Sequence, residues 1–107
     1  MRNRIIAVDF DGTLFTDNWP NVGEPIWPVI EHVKKEQAEG SAIILWTCRA
    51  GESLANAVMA CESVGITPDY VNENHPDVLK AWEGRDTRKI FADEYWDDRA
   101  LNVRVLR

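Results

Sequence analysis

In the stretch Arg4-Ile5-Ile6-Ala7-Val8-Asp9-Phe10-Asp11-Gly12-Thr13-Leu14-Phe15, an apolar run ends in two aspartates one residue apart and a glycine. Packing alone gives no reason to close a buried strand with two carboxylates. Thr47 and Arg49 follow a second apolar run, Ala42-Ile43-Ile44-Leu45-Trp46. Asp97 and Asp98 follow a third short segment, Glu94-Tyr95-Trp96, with Lys89 a few residues before it. If the three runs are parallel strands of one sheet, all these polar groups gather on one rim. The carboxylates of Asp9, Asp11, Asp97 and Asp98 would then repel one another, and a proton, a lysine or a divalent cation must hold them together. Oxygen-only ligands select a hard cation, and Mg2+ suits a few carboxylates with waters and a substrate phosphate. Thr47, Arg49 and the backbone N–H groups of the turn at Gly12 and Thr13 can donate to phosphate oxygens. The chemistry suggested is phosphoryl transfer with a carboxylate as nucleophile.

The elements needed to position these groups are legible in the pattern. Short apolar runs alternate with amphipathic stretches, which is the signature of β-α-β units. Residues 4–9 read as a first strand, apolar throughout and so central in a parallel sheet. A polar loop is expected from Gly12 to about Pro25. Ile26, Val29, Ile30 and Val33 recur at helical spacing, with Glu24 and Pro25 at the start and Gly40 just past the end. Residues 41–46 read as a second strand. Leu54, Val58 and Cys61, with Ala55 and Met59 beside them, mark a second helix after Gly51 that ends near Gly65. A weak third strand is expected at 69–71 and a short helix around Val78, Leu79 and Trp82, within a polar segment over 72–88. Residues 94–96 read as a fourth strand, and the alternation over 101–106 as an edge strand. The expected fold is one α/β domain over 1–107, a small doubly wound and mostly parallel sheet flanked by helices on both faces. In such sheets ligands bind at the carboxyl ends of the strands.

The totals narrow the function classes. A chain of 107 residues fits one small domain. A net charge of −6 argues against non-specific nucleic-acid binding, which needs a basic face to replace counterions. The apolar runs are too short to span a membrane. Met1-Arg2-Asn3-Arg4 leads into the first of them with no small-residue cleavage site, so no secretion signal is read. Cys48 and Cys61 make neither a metal cluster nor a disulfide scaffold, and a reducing cytoplasmic setting is the default.

The order of these groups carries a resemblance. Asp9-Phe10-Asp11-Gly12-Thr13-Leu14 resembles the first motif of the haloacid dehalogenase-like (HAD) superfamily, an Asp-x-Asp-Gly-Thr signature closing the first strand. Thr47 in Ile44-Leu45-Trp46-Thr47-Cys48-Arg49 is similar to the second motif, Lys89 to the third, and Asp97-Asp98 to the fourth. The four occur in the family's order. The resemblance implies a Rossmannoid fold and a Mg2+-dependent phosphatase working through an aspartyl-phosphate. Asp9 would be the nucleophile and Asp11 the proton carrier. The side chain of Asp9, the backbone carbonyl of Asp11 and a carboxylate of Asp97 or Asp98 would hold Mg2+. Thr47 would bond a phosphate oxygen, and Lys89 would pair with Asp9 and the phosphate. Gly12 would permit the tight turn. The intervals between elements leave no room for a cap domain, so the site is expected to be open to a large substrate or to a partner chain.

Single residues have blander readings too. Cys48 is read as a small buried filler, with a reactive thiol as the alternative. Asp93 is read as a loop or cap residue, His32 as a solvated helix residue, and His75 as a loop residue. Trp46 and Trp96 are expected to pack on the sheet and Trp27 at the first helix. Trp19 and Trp82 are candidates for the mouth of the site, where an indole stacks on a base or sugar. Glu52, Asn56, Asn72, Glu73 and Asn74 are further candidates for the rim. Two rivals remain. A phospho-acceptor receiver module also sets aspartates, a threonine and a lysine on the rim of such a sheet. Its acceptor aspartate, however, closes a middle strand, where this chain has Thr47. A catalytically silent binding module is the other. Sugar phosphates, nucleotides and polynucleotide ends are all admissible substrates, and a homo-oligomer is admissible as well.

Overall fold

The fold was analysed in a computed structural model, which describes residues 3–107. Met1 and Arg2, used above in reading the N-terminus, lie outside the described residues. Four strands form the main sheet: β1 (Ile5–Val8), β4 (Ala42–Leu45), β5 (Tyr70–Val71) and β6 (Glu94–Trp96). Their spatial order is β5-β4-β1-β6, and every pairing is parallel. The fold is therefore α/β with a mostly parallel sheet, as the pattern indicated. β1 is central, and all four of its residues are buried, which explains its unbroken apolar run.

Strand alternation divides the core in two. Ile6 and Val8 of β1 and Ile43 and Leu45 of β4 point to one face. There they meet Ile30 and Val33 of α1 (Trp27–Ala38) and Ala57 and Cys61 of α2 (Gly51–Ser63). Ile5, Ala7 and Ile44 point to the other face, against Val78 of α3 (Pro76–Ala81) and Ile90 and Ala92 of the approach to β6. Helices thus cover both faces.

Two acidic side chains pin the starts of the strands. Asp93 accepts the Ile5 N–H through its carboxylate at 2.7 Å, and its own N–H donates to the Ile5 carbonyl at 2.7 Å. Asp69 repeats the pattern on Ile43, at 2.7 and 2.8 Å. Asp93 is thus a strand-anchoring residue, in line with its reading as a cap. His75 caps α3, accepting from Asp77 N–H at 3.0 Å. Buried Asn74 ties the 86–91 segment to the sheet, accepting from Phe91 N–H at 2.8 Å and donating to Asp86 at 2.9 Å. These bonds order the polar stretch whose composition is hard to assign.

Several expectations are corrected. The stretch from Gly12 to Pro25 is not a plain loop: it contains an antiparallel hairpin, β2 (Phe15–Asn18) and β3 (Asn21–Pro25). Apart from buried Phe15 and half-buried Val22, its strands are polar and carry no apolar periodicity to betray them. The segment expected as an edge strand over 101–106 instead holds a 3-10 turn, Val103–Leu106. Leu101, Val103, Val105 and Leu106 are exposed, so no sheet neighbour fixes an extended form. Trp27 is 50% exposed rather than packed, and Cys48 is exposed rather than a buried filler. Trp46 and Trp96 do pack on the two cores.

Candidate functional site

Parallel register brings the strand ends level. Val8 pairs with Leu45 on one side and Trp96 on the other. Asp9 N–H continues the ladder to the Trp96 carbonyl at 2.9 Å, and Trp46 N–H to the Val8 carbonyl at 2.9 Å. Asp9, Thr47 and Asp97 therefore emerge side by side at one edge. They line a cleft of about 250 Å3 together with Asp11, Asp17, Trp19, Cys48 and Arg99. One ligand atom each from Asp9, Asp97 and Asp98 lies within 4.8 Å of the others. Burial pushes the Asp9 carboxyl up from 3.8 to about 6. A hydrogen bond from the Phe10 backbone opposes the rise, and the charges of Asp97, Asp98 and Asp11 add to it.

The turn after β1 is compact. The N–H groups of Thr13, Leu14 and Phe15 converge on the Phe10 carbonyl at 3.0–3.2 Å, and Gly12 N–H reaches the Phe15 carbonyl at 2.7 Å. Phe10, fully buried, stacks on Phe15 with ring centroids 5.0 Å apart. Gly12 has φ +85°, and a Cβ there would stand 2.7 Å from the Asp98 carboxyl carbon. Only glycine lets the turn and Asp98 meet so closely. Thr13 is buried, and its hydroxyl accepts from Asp98 N–H at 3.1 Å and donates to Asp98 Oδ1 at 3.4 Å. Gly12 and Thr13, read as a phosphate-binding turn, thus seat the metal-ligand candidate Asp98.

Arg49 takes a different place from the one expected. Its side chain is buried and does not line the cleft. Nε and Nη2 donate to the two Asp11 oxygens, each at 2.8 Å. Nη1 bonds the carbonyls of Pro20 and Ser53 at 3.0 and 3.2 Å, and Nη2 also bonds that of Asn21 at 2.7 Å. The guanidinium lies over the Phe10 ring, 5.0 Å from its centroid. The Asp11 contact raises the Arg49 pKa, so the charge is permanent. Arg49 is therefore a clamp linking Asp11, the hairpin tip and α2, not a cation facing a substrate. Three of the four residues it bonds are distant in the chain, so spacing alone cannot assign it.

Lys89 is exposed, stands 5.3 Å from the Tyr95 ring centroid, and lines a separate depression with Glu94, Tyr95 and Leu101. It is not brought into the cleft. Among the described residues lining the cleft, Arg99 is the one basic side chain. Sequence reasoning missed Arg99, although its position directly after Asp97-Asp98 was a signal. Thr47 lines the cleft as expected; its hydroxyl accepts from Arg49 N–H at 3.1 Å, and its own N–H donates to Asn72 at 2.8 Å. Of the two tryptophan candidates, Trp19 lines the cleft, and Trp82 lies elsewhere against Phe91. Glu52 and Asn56 do not line the cleft. Among the described residues no helix is long and apolar enough to cross a membrane.

No family model and no curated protein matches the chain. A solved structure, described as that of a conserved protein coded by a locus from Bacteroides thetaiotaomicron, is similar to it with a TM-score of 0.80 and 36% sequence identity. The match covers 94% of this chain and 79% of the other. With the fold and that extent of identity in common, the chain belongs to the same family as this conserved Bacteroides protein.

Proposed function

We propose that the chain is a HAD-like, Mg2+-dependent phosphatase acting through an aspartyl-phosphate on Asp9. The observation that carries the reading is the carboxylate cluster at the end of the central strand. Asp9, Asp97 and Asp98 offer ligand atoms within 4.8 Å of one another, and burial and like charge already oppose ionisation of Asp9. An all-carboxylate set of this span suits a hard divalent cation. Bound there through Asp9, Asp97 and Asp98, Mg2+ would neutralise charge and let an anionic phosphoryl group approach Asp9.

The remaining chemistry belongs to the chain. An Asp9 oxygen attacks phosphorus in line, and the bond to the ester oxygen breaks. Asp11 carries the proton to the leaving oxygen and then takes one from the water that cleaves the aspartyl-phosphate. Arg49 holds the Asp11 carboxyl by both oxygens, so Asp11 takes up and delivers a proton only after its carboxyl turns from Arg49 into the cleft. The Thr47 hydroxyl is in reach of the cleft for a phosphate oxygen. Arg99 supplies the positive charge that the resemblance assigns to Lys89. A free, exposed Cys48 thiol suits a reducing cytoplasm.

A catalytically silent binding module is the second reading, favoured by one observation: Lys89 lines a different depression from Asp9. Hydrolysis of an aryl phosphate, measured with Mg2+, with EDTA and in Asp9→Asn, separates the two. The phosphatase reading expects release only with Mg2+ and intact Asp9. Phosphate release that EDTA leaves untouched, or that persists in Asp9→Asn, sinks it. Mg2+ binding without turnover of any phosphomonoester establishes the silent module.

A further inference from the structure

The side chain of Trp19 is 65% exposed, yet the backbone around it is tied down. Its N–H donates to Asp17 Oδ1 at 3.2 Å. The next two carbonyls, of Pro20 and Asn21, accept from the buried Arg49 guanidinium at 3.0 and 2.7 Å. The same guanidinium holds both Asp11 oxygens. One buried cation therefore couples the hairpin tip to the turn that follows Asp9. An indole carried on a tethered backbone but left in water is available for a contact made by something else.

The cleft beside it restricts what that contact is. Trp19 and Arg99 line the cavity that also holds Asp9, Thr47 and Asp97. Its volume of about 250 Å3 lies below the usual range for larger ligands, roughly 300–1,000 Å3. Apart from carboxylates and Thr47, the lining side chains are an indole, a guanidinium and a thiol. Indole and guanidinium both present flat faces on which a planar ring stacks.

We propose that Trp19 and Arg99 form a stacking site for a planar ring on the phosphorylated substrate, so that the substrate class is a nucleotide-type phosphomonoester rather than a bare sugar phosphate. The inference rests on the reading of the Asp9 cleft as a phosphoryl site. The ring arrives on a free mononucleotide or on the terminal nucleotide of a short oligonucleotide. The net charge of −6 favours the former.

Calorimetric binding with Mg2+ tests it without requiring turnover. The probes are non-hydrolysable phosphonate analogues of a nucleoside 5′-monophosphate and of ribose 5-phosphate, and a 5′-phosphonate trinucleotide. The proposal expects the nucleotide analogue to bind at least about tenfold more tightly than the ribose analogue, as one stacked base commonly provides. That ratio is expected to fall toward one in Trp19→Ala and to persist largely in Trp19→Phe, which keeps a ring and guards against a misfolded hairpin. A trinucleotide tighter than the mononucleotide identifies the source as a polynucleotide end, with stacking upheld. Equal affinity for nucleotide and ribose analogues, or a ratio that Trp19→Ala leaves intact, overturns the proposal. Loss of aryl-phosphate turnover in the separate assay above overturns the phosphatase reading instead.

Discussion

At the scale of single residues, Asp9 sets the pH behaviour. Burial raises its pKa from 3.8 to about 6, so the folded chain holds a proton there that the unfolded chain has already lost. Stability without metal therefore falls as pH rises from about 4 to about 6, and the penalty is complete above that window. A divalent cation needs the ionised form, so its stabilising effect runs the other way. Mg2+ at tenfold its dissociation constant is expected to raise the melting temperature by roughly 6–11 °C at pH 7.5. The rise at a fixed Mg2+ concentration should shrink markedly at pH 5, and thermal denaturation at the two pH values checks both signs. Gly12 governs the same cluster sterically. With φ +85° and Asp98 against its Cα, Gly12→Ala is expected to cost about 1–3 kcal/mol of stability. It should also weaken the Mg2+-dependent rise in melting temperature, because the added methyl displaces Asp98. An alanine variant with undiminished Mg2+ response would show that Asp98 is not held by this turn.

At the scale of elements, the β2–β3 hairpin depends on a cation outside it. Arg49 bonds Pro20 and Asn21 in the hairpin, Ser53 in α2 and Asp11 after β1. Removing it leaves the Asp11 carboxylate and three carbonyls without their donor. Arg49→Met is expected to cost on the order of 3 kcal/mol, at the low end for a broken buried pair because Asp11 remains partly in water. Arg49→Lys should recover only part of that loss, since an ammonium cannot reproduce the two-pronged contact. Urea unfolding measures the cost. Amide hydrogen exchange locates it: protection should drop across residues 15–25 before it drops in β1 and β4. A uniform loss of protection across the sheet would mean that Arg49 supports the core and not the hairpin.

At the scale of the whole molecule, the two cysteines report on different layers. Cys61 sits in the core between the sheet and its two long helices, where burial pushes its thiol up to about 12. Cys48 lies exposed in the cleft lining. A disulfide exchange reagent at pH 8 is expected to titrate one thiol at once in the native protein. The second should react only as fast as the chain unfolds, with both reacting immediately in denaturant. Two fast thiols in the native state would show that this core opens locally. Cys48 labelling should be slowed by a ligand that fills the cleft, which ties the global probe back to the site.

Unbroken apolar runs and helical spacing, with the polar groups that close each run, determined most of the main sheet from the sequence alone. β1, β4, β5, β6 and the three helices lie close to where the pattern puts them, because their apolar residues must face a core on both sides of the sheet. The rim position of Asp9, Thr47 and Asp97 followed from the same reasoning, since parallel strands end together. What needed the tertiary structure is what depends on partners distant in the chain. The hairpin is exposed and has no apolar period, so only Arg49 and its own pairing reveal it. Arg49 itself could equally have faced a phosphate; its burial against Asp11 is decided by the packing of the hairpin over α2. Lys89 was placed by its order in the sequence, but the loop before β6 carries it over Tyr95 and away from the cleft. Residue types and local spacing specify which groups reach a strand end; the direction each side chain then takes is settled by long-range contacts that the local sequence does not encode.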